Sequence, residues 1–175
     1  LDFNIWNGDA TNTDEFDGFL KLFAADADVI DVDLPAATTE ANVEAQLKLA
    51  LAAVPISLRR KTLKVGVSPD VAQSYSFYLI SKGISNGLGG DANTMLKFGK
   101  YDLVEINGLP VSTIVIAEPK NLIFGTGLLA DHNDVRLVDQ DETLLNGKVI
   151  GTMVYNAGVQ YYNGEEIVWA RQILP

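Results

Sequence analysis

The sequence has 175 residues, 47% of them apolar, a net charge of −10 and no cysteine. That length and apolar content suit one ordinary domain or two small lobes and argue against disorder. The missing cysteine excludes disulfides and thiolate metal sites, and no apolar run approaches the ~20 residues of a membrane-spanning helix.

Charge is unevenly spread. Residues 1–54 hold 11 acidic and 2 basic side chains, and the remainder is nearly balanced. An acidic segment repels phosphate, which argues against a dedicated nucleic-acid reader. It reads as a solubility device, or as a face turned towards a basic patch on a neighbouring subunit. The start, LDFNIWNGD, is acidic where a secretory leader needs basic residues, so no leader is expected. A first residue of Leu rather than Met is what a piece of a longer chain would show.

Residues 1–18, rich in Asn, Asp, Gly and Thr, read as a loop or ordered arm anchored by Trp6, Phe16 and Phe19. Phe16, Phe19, Leu20 and Phe23 fall at the spacing of a short amphipathic helix, with Asp14 as its N-cap. Asp26, Asp28, Asp31 and Asp33 then alternate with Val29, Ile30 and Val32. The glycine and the terminal glutamate of an EF-hand loop are missing, so the reading is a short strand with a solvated acidic face.

Thr38-Thr39-Glu40 predicts a helix start, with either threonine as cap. Val43, Leu47, Leu51 and Val54 form its apolar face, and Pro55 ends it after about four turns. The basic cluster Arg59, Arg60, Lys61 and Lys64 lacks interleaved aromatics, so it reads as a solvated turn or an intersubunit salt-bridge site. Leu63, Val65 and Val67 alternate as a strand. Ser68-Pro69-Asp70 opens a second helix with the stripe Val71, Tyr75, Tyr78 and Leu79, stopped at Lys82-Gly83. The Gly-rich stretch Ser85–Thr94 fits no phosphate-binding pattern and reads as a surface loop.

From Phe98 onward the chain reads as strands. Three Asn-Gly pairs, the strongest short hairpin signal, stand at 107–108, 146–147 and 163–164. The first predicts a hairpin of Tyr101–Ile106 with Val111–Ile116. The second separates Leu144-Leu145 from Val149-Ile150, and the third predicts a hairpin of Val159–Tyr162 with Glu165–Trp169. Between them, Pro119–Asp139 reads as two short buried elements, around Leu122–Phe124 and Val135–Val138, joined by an exposed polar loop. Helices precede a strand-rich half, which predicts an α+β fold.

Chemistry is sparse. His132 is the only histidine, and with Asp131 and Asp134 it is the one place a small metal-assisted hydrolase could be centred. No GxSxG, HExxH or HxH pattern supports it. The acidic pairs Glu165-Glu166 and Asp141-Glu142 are what abundance produces by chance. No catalytic, cofactor-binding or metal-ligating residue is assigned.

Four stretches, in order, resemble tailed-bacteriophage major capsid proteins of the Hong Kong 97-type fold. They are TTEANVEAQLKLALAAVP, at the position of that family's spine helix; LKVGVSPDVAQSYSFYL, like the strand-then-helix entry to its axial domain; YDLVEINGLPVSTIVIAEPKNLIFGTGL, like its hairpin and Asn-Leu-Ile-Phe-Gly-Thr turn; and VQYYNGEEIVWA, like its terminal hairpin returning to the peripheral domain. The resemblance implies a structural subunit that forms hexamers and pentamers of an icosahedral shell around packaged DNA. It implies contacts with identical subunits and with scaffold, protease and portal proteins, DNA contact that is only non-specific, no membrane, no cofactor and no enzymatic activity. The location implied is the virion capsid, after assembly in the bacterial cytoplasm. The domains implied are an arm at 1–37, a peripheral domain at 38–66 with 150–175, and an axial domain at 67–149. The same fold builds encapsulin compartments, which stand as an alternative. A shell subunit should also expose apolar side chains, with Trp6, Phe16 and Tyr161 as candidates.

Overall fold

Strands β5 (Ile114–Ala117) and β10 (Val168–Arg171) carry almost no polar side chain, and both faces of each are covered. On β5, Ile114 and Ile116 point to one side and Val115 and Ala117 to the other; on β10, Val168 and Ala170 oppose Trp169. Two cores, one on each side of a single sheet, follow from that alternation.

The computed structural model describes residues 2–13, 15–84, 96–126, 135–139, 149–153 and 157–173. In chain order, α1 (Asp2–Asn7), α2 (Phe19–Ala25), β1 (Ile30–Asp33), α3 (Val43–Ala52), β2 (Lys64–Val67) and α4 (Pro69–Ser81) precede β3 (Lys97–Phe98) and β4 (Tyr101–Glu105). β5 follows, then β6 (Leu122–Thr126), β7 (Val135–Asp139), β8 (Val149–Met153), β9 (Ala157–Tyr161) and β10. The main sheet has six strands in the order β1-β10-β5-β2-β4-β3. β1 runs parallel to β10 and β2 parallel to β4; the other neighbours are antiparallel. Two-stranded antiparallel ribbons, β6-β9 and β7-β8, complete the described structure. The result is α+β with a mixed sheet.

Helices α3 and α4 cover one face of the sheet. Their buried positions Val43, Leu47, Ala50, Val71, Ala72, Tyr75 and Leu79 meet Val65, Val67, Leu103, Ile114 and Ile116. On the other face, Trp6 of α1 and Phe19, Leu20 and Phe23 of α2 pack on Val115, Ala117, Ile167 and Trp169. Each such side chain contributes about 1.5–3 kcal/mol on leaving water.

Several sequence expectations need correction. Residues 1–18 are not all loop: Asp2–Asn7 is helical. Asp14 lies outside the described residues, and α2 starts after Gly18 with no side-chain cap. The helix expected from Thr38 starts at Val43 and has 10 residues, about three turns. Its first residues are held by a turn instead, in which the Thr39 N–H donates to Asn42 Oδ1 (2.7 Å) and Thr38 Oγ1 to Gln46 Oε1 (2.5 Å). Ser68 does precede α4, with Pro69 in the first turn, but its hydroxyl accepts from the Thr113 N–H rather than capping the helix. The stop at Gly83 is as expected: φ is +69°, and the N–H groups of Gly83 and Ile84 reach the carbonyls of Ile80 and Leu79, a Schellman ending.

Both hairpins within reach of the structure are overturned. β4 and β5 flank Asn107-Gly108 but do not pair, because β2 lies between them. β2 is buried on both faces, so it needs a neighbour on each edge, and Gly66 lets Ile106 lie against its backbone. Around Asn163-Gly164, β9 pairs with β6 and β10 with β1 and β5. Asn163 accepts from the Glu165 N–H and caps a 3-10 turn, Gly164–Glu166, in place of a hairpin turn. The pair at 146–147 lies outside the described residues. β6, expected to be buried, is mostly exposed, with Ile123 and Phe124 reaching solvent.

Candidate assembly surface

Among the described residues the sequence candidates do not come together as a reactive centre. Asp131, His132 and Asp134, the Gly-rich stretch Ser85–Thr94 and Asp141-Glu142 lie outside the described residues. The four aspartates of the acidic strand disperse. Asp26 accepts from Tyr161 Oη (2.6 Å), Asp31 pairs with Arg171 (3.0 Å) and Asp33 accepts from the Ile173 N–H. Among the described residues no three His, Cys, Asp or Glu side chains stand close enough to hold a metal ion.

The basic cluster also divides. Lys61 bonds Glu166 at 2.6 Å, with Glu118 at 3.7 Å, and these carboxylates raise its pKa. Lys64 lines a small apolar cavity of about 150 Å³ on the α1 side of the sheet, with Trp6, Gly66, Ile106 and Leu122. Arg59 turns towards a different set, where Lys48, Leu51, Ala52, Phe98, Lys100 and Tyr101 line an open groove of about 500 Å³ with it.

Local sequence builds that groove. Phe98 and Tyr101 pair across a two-residue turn, Gly99-Lys100. Gly99 has φ of +61°, the first position of a II′-type turn, which leaves Lys100 at the apex. Lys100 Nζ donates to the Arg59 carbonyl (2.7 Å) and stands 5.0 Å from the Tyr101 ring centre. Arg59 Nε donates to the Val54 carbonyl. Lys48, one helical turn beyond Glu44, pairs with it at 2.5 Å. Sequence reading missed Lys48 and Lys100 as partners of Arg59; the Gly-Lys pair between two aromatics was the available signal.

On the other side of the 55–60 segment, Pro55, Ser57 and Leu58 line a second groove of about 330 Å³ with Asp28, Ile30, Asn163, Glu165 and Glu166. Ile56 and Tyr162, which adjoin its lining in sequence, are 81% and 87% exposed. Apolar exposure elsewhere includes Val111 and a stripe on α4, where Phe77 and Ile80 share the outer face with Ile84 just beyond its end. The candidates named from sequence are not these: Trp6 is buried, and Phe16 and Tyr161 are half-buried. No described helix is long and apolar enough to cross a membrane.

A buried amide fixes the second groove's rim. Asn121, 5% exposed, accepts from the N–H groups of Tyr162 and Asn163 (3.0 and 2.8 Å) and donates to the Asn163 carbonyl (2.8 Å). It thus holds the chain where β9 ends and the 3-10 turn begins.

No protein-family model and no curated protein matches the chain. Solved structures do. A chain of the satellite phage P4 procapsid including size determination (Sid) protein superposes with a TM-score of 0.61 at 14% identity, over 90% of this chain and 51% of its own. A Mycobacterium phage Che8 structure gives 0.53 at 18% identity, over 82% and 53%. The crystal structure of a virus-like particle from Pyrococcus furiosus gives 0.50 at 15%, over 85% and 58%. The chain therefore spans little more than half the length of these neighbours. At such identities the likeness is one of fold, and the fold is that of phage capsid-type proteins.

Proposed function

We propose that the chain is a structural subunit of a phage-type capsid shell, built on the Hong Kong 97-type fold with α3 as its spine helix. The observation that carries this reading is the superposition of 90% of the chain on a procapsid chain, supported by two further neighbours of related kind. The exposed apolar side chains and paired surface grooves suit a protein whose work is contact with copies of itself.

In this reading residues 1–37 are an arm, 38–66 with 150–175 a peripheral domain, and 67–149 an axial domain. The main sheet then crosses these blocks, drawing β2 and β10 from the second and β4 and β5 from the third. Identical subunits form pentamers and hexamers around non-specifically held DNA. Scaffold, protease and portal proteins are further partners, and assembly takes place in the bacterial cytoplasm. The chain carries out no catalysis and binds no cofactor. A second reading is an encapsulin-like compartment shell.

Light scattering on the purified protein tests the common part of both readings. A capsomer-sized multiple of 18.9 kDa is expected. A monomer across the accessible concentration range contradicts it.

A further inference from the structure

The two grooves on either side of the 55–60 segment carry opposite charge, and among the described residues neither is fully neutralised. On one side, Arg59 and Lys100 bond only backbone carbonyls, and among the described residues neither has a carboxylate at ion-pair distance. Two like charges thus share one rim over an apolar floor of Leu51, Ala52, Phe98 and Tyr101. Lys48, the third cation, is already matched by Glu44.

On the other side, the carboxylates can be taken in turn. Asp9 and Asp17 are held by Lys21, Asp31 by Arg171 and Glu166 by Lys61. Asp26 is engaged by Tyr161. Several exposed carboxylates, Glu40 and Glu105 among them, have no cation among the described residues; Asp28 and Glu165 are the two of these that line this groove, floored by Ile30, Pro55 and Leu58.

We infer that these surfaces are the two halves of one contact between copies: the Arg59/Lys100 groove of one chain receives the Asp28/Glu165 lip of the next. The inference rests on the shell reading and specifies a surface for it. The patches are different and do not overlap, so the contact is heterologous. Such a contact propagates from copy to copy and closes into a ring when the rotation permits, whereas a self-complementary patch stops at a dimer. Opposed charge sets register and speeds encounter, and the apolar floors supply area to bury. A polyanionic strand is the competing occupant of the basic groove. The chain's overall negative charge disfavours it, as does the absence of any cation around Arg59 and Lys100 beyond Lys48 among the groove's lining.

The test is sedimentation velocity on the whole chain in low and high salt, with two double variants, Arg59→Glu/Lys100→Glu and Asp28→Lys/Glu165→Lys. All four positions are on the surface, and circular dichroism checks that each variant is folded. Self-association of the unaltered chain should weaken with salt. Either variant alone should associate at least tenfold more weakly, and an equimolar mixture of the two should recover association, because each supplies the half the other lacks. Because the halves are reversed separately, one folded variant is enough to decide. Association unchanged by a folded variant overturns the inference and leaves the shell reading standing. An unaltered chain that never associates overturns both. Loss of retention on a duplex oligonucleotide by the Arg59/Lys100 variant, with self-association intact, assigns the groove to nucleic acid and also overturns the inference.

Discussion

Tyr161 donates its hydroxyl hydrogen to the Asp26 carboxylate across 2.6 Å, tying the end of β9 to the end of α2 over 135 residues of sequence. The ring also stands 5.5 Å from Phe23, so the contact has an apolar body and a polar tip. Burial and then the facing carboxylate push the Tyr161 pKa from 10.0 up to about 12. The same hydroxyl, with the Asp28 N–H, holds Asp26 below its ordinary 3.8.

The signs give two pH windows. A phenol whose pKa rises on folding contributes stability that is whole below pH 10 and is lost as pH climbs from there to about 12. A carboxylate whose pKa falls on folding contributes stability present above 3.8 and lost as pH drops through its lower folded value. Tyr161→Phe should therefore flatten the alkaline limb of a melting-temperature profile and remove a late-ionising tyrosine from the ultraviolet titration. An unchanged titration curve would show that the hydroxyl is not held.

Gly164→Ala tests the same junction from the other side. A Cβ there would stand 2.6 Å from Asp26 Oδ2 and 3.3 Å from its Cγ. The short aspartate has little room to yield while Tyr161 holds it. Denaturant unfolding should show a loss of about 1–3 kcal/mol, the usual cost of overpacking. The Tyr161 ionisation should move back towards that of an ordinary phenol.

Asn121→Ala removes three side-chain hydrogen bonds to the backbone of residues 162–163; the Tyr162 N–H keeps the Asn121 backbone carbonyl, while the part-buried Asn163 N–H and carbonyl lose their partner. At about 1 kcal/mol for each group that loses its partner, the expected loss is about 2 kcal/mol, read by equilibrium unfolding. A loss below about 0.5 kcal/mol would place the amide outside the cooperative unit.

These sites show where the sequence was legible. The strand segments were readable from alternation: Leu63, Val65 and Val67 are all buried, as their spacing says. Their partners were not readable, because an Asn-Gly pair speaks only for its own few residues. At 107–108 the local signal favours a hairpin, but the doubly buried run of Val65, Gly66 and Val67 takes both edges, and no local rule weighs that. At 163–164, Asn163 spends its side chain on a 3-10 cap, and Gly164 is needed for close approach to Asp26. The cationic groove was hidden for the same reason: Lys48, Arg59 and Lys100 are distant in sequence and meet only after β4 docks beside β2.

Ser112 offers a test of backbone conformation. It has φ of +56°, is 1% exposed, accepts from the Thr38 N–H (2.8 Å) and sends its own N–H to Asp70 (2.8 Å). Ser112→Gly relieves left-handed strain but loses the hydroxyl acceptor, so the two effects should cancel to within about 1 kcal/mol. Ser112→Val adds a branched side chain to that conformation and leaves Thr38 unpaired, for a loss of about 2–4 kcal/mol in denaturant unfolding.

A shell subunit, as proposed, must contact copies of itself in a closed array. Electron microscopy of the purified chain, imaged at rising concentration, tests it most directly. Rings or closed particles whose class averages have fivefold and sixfold symmetry are expected. Separate single subunits at every concentration, with no symmetric class, would contradict it.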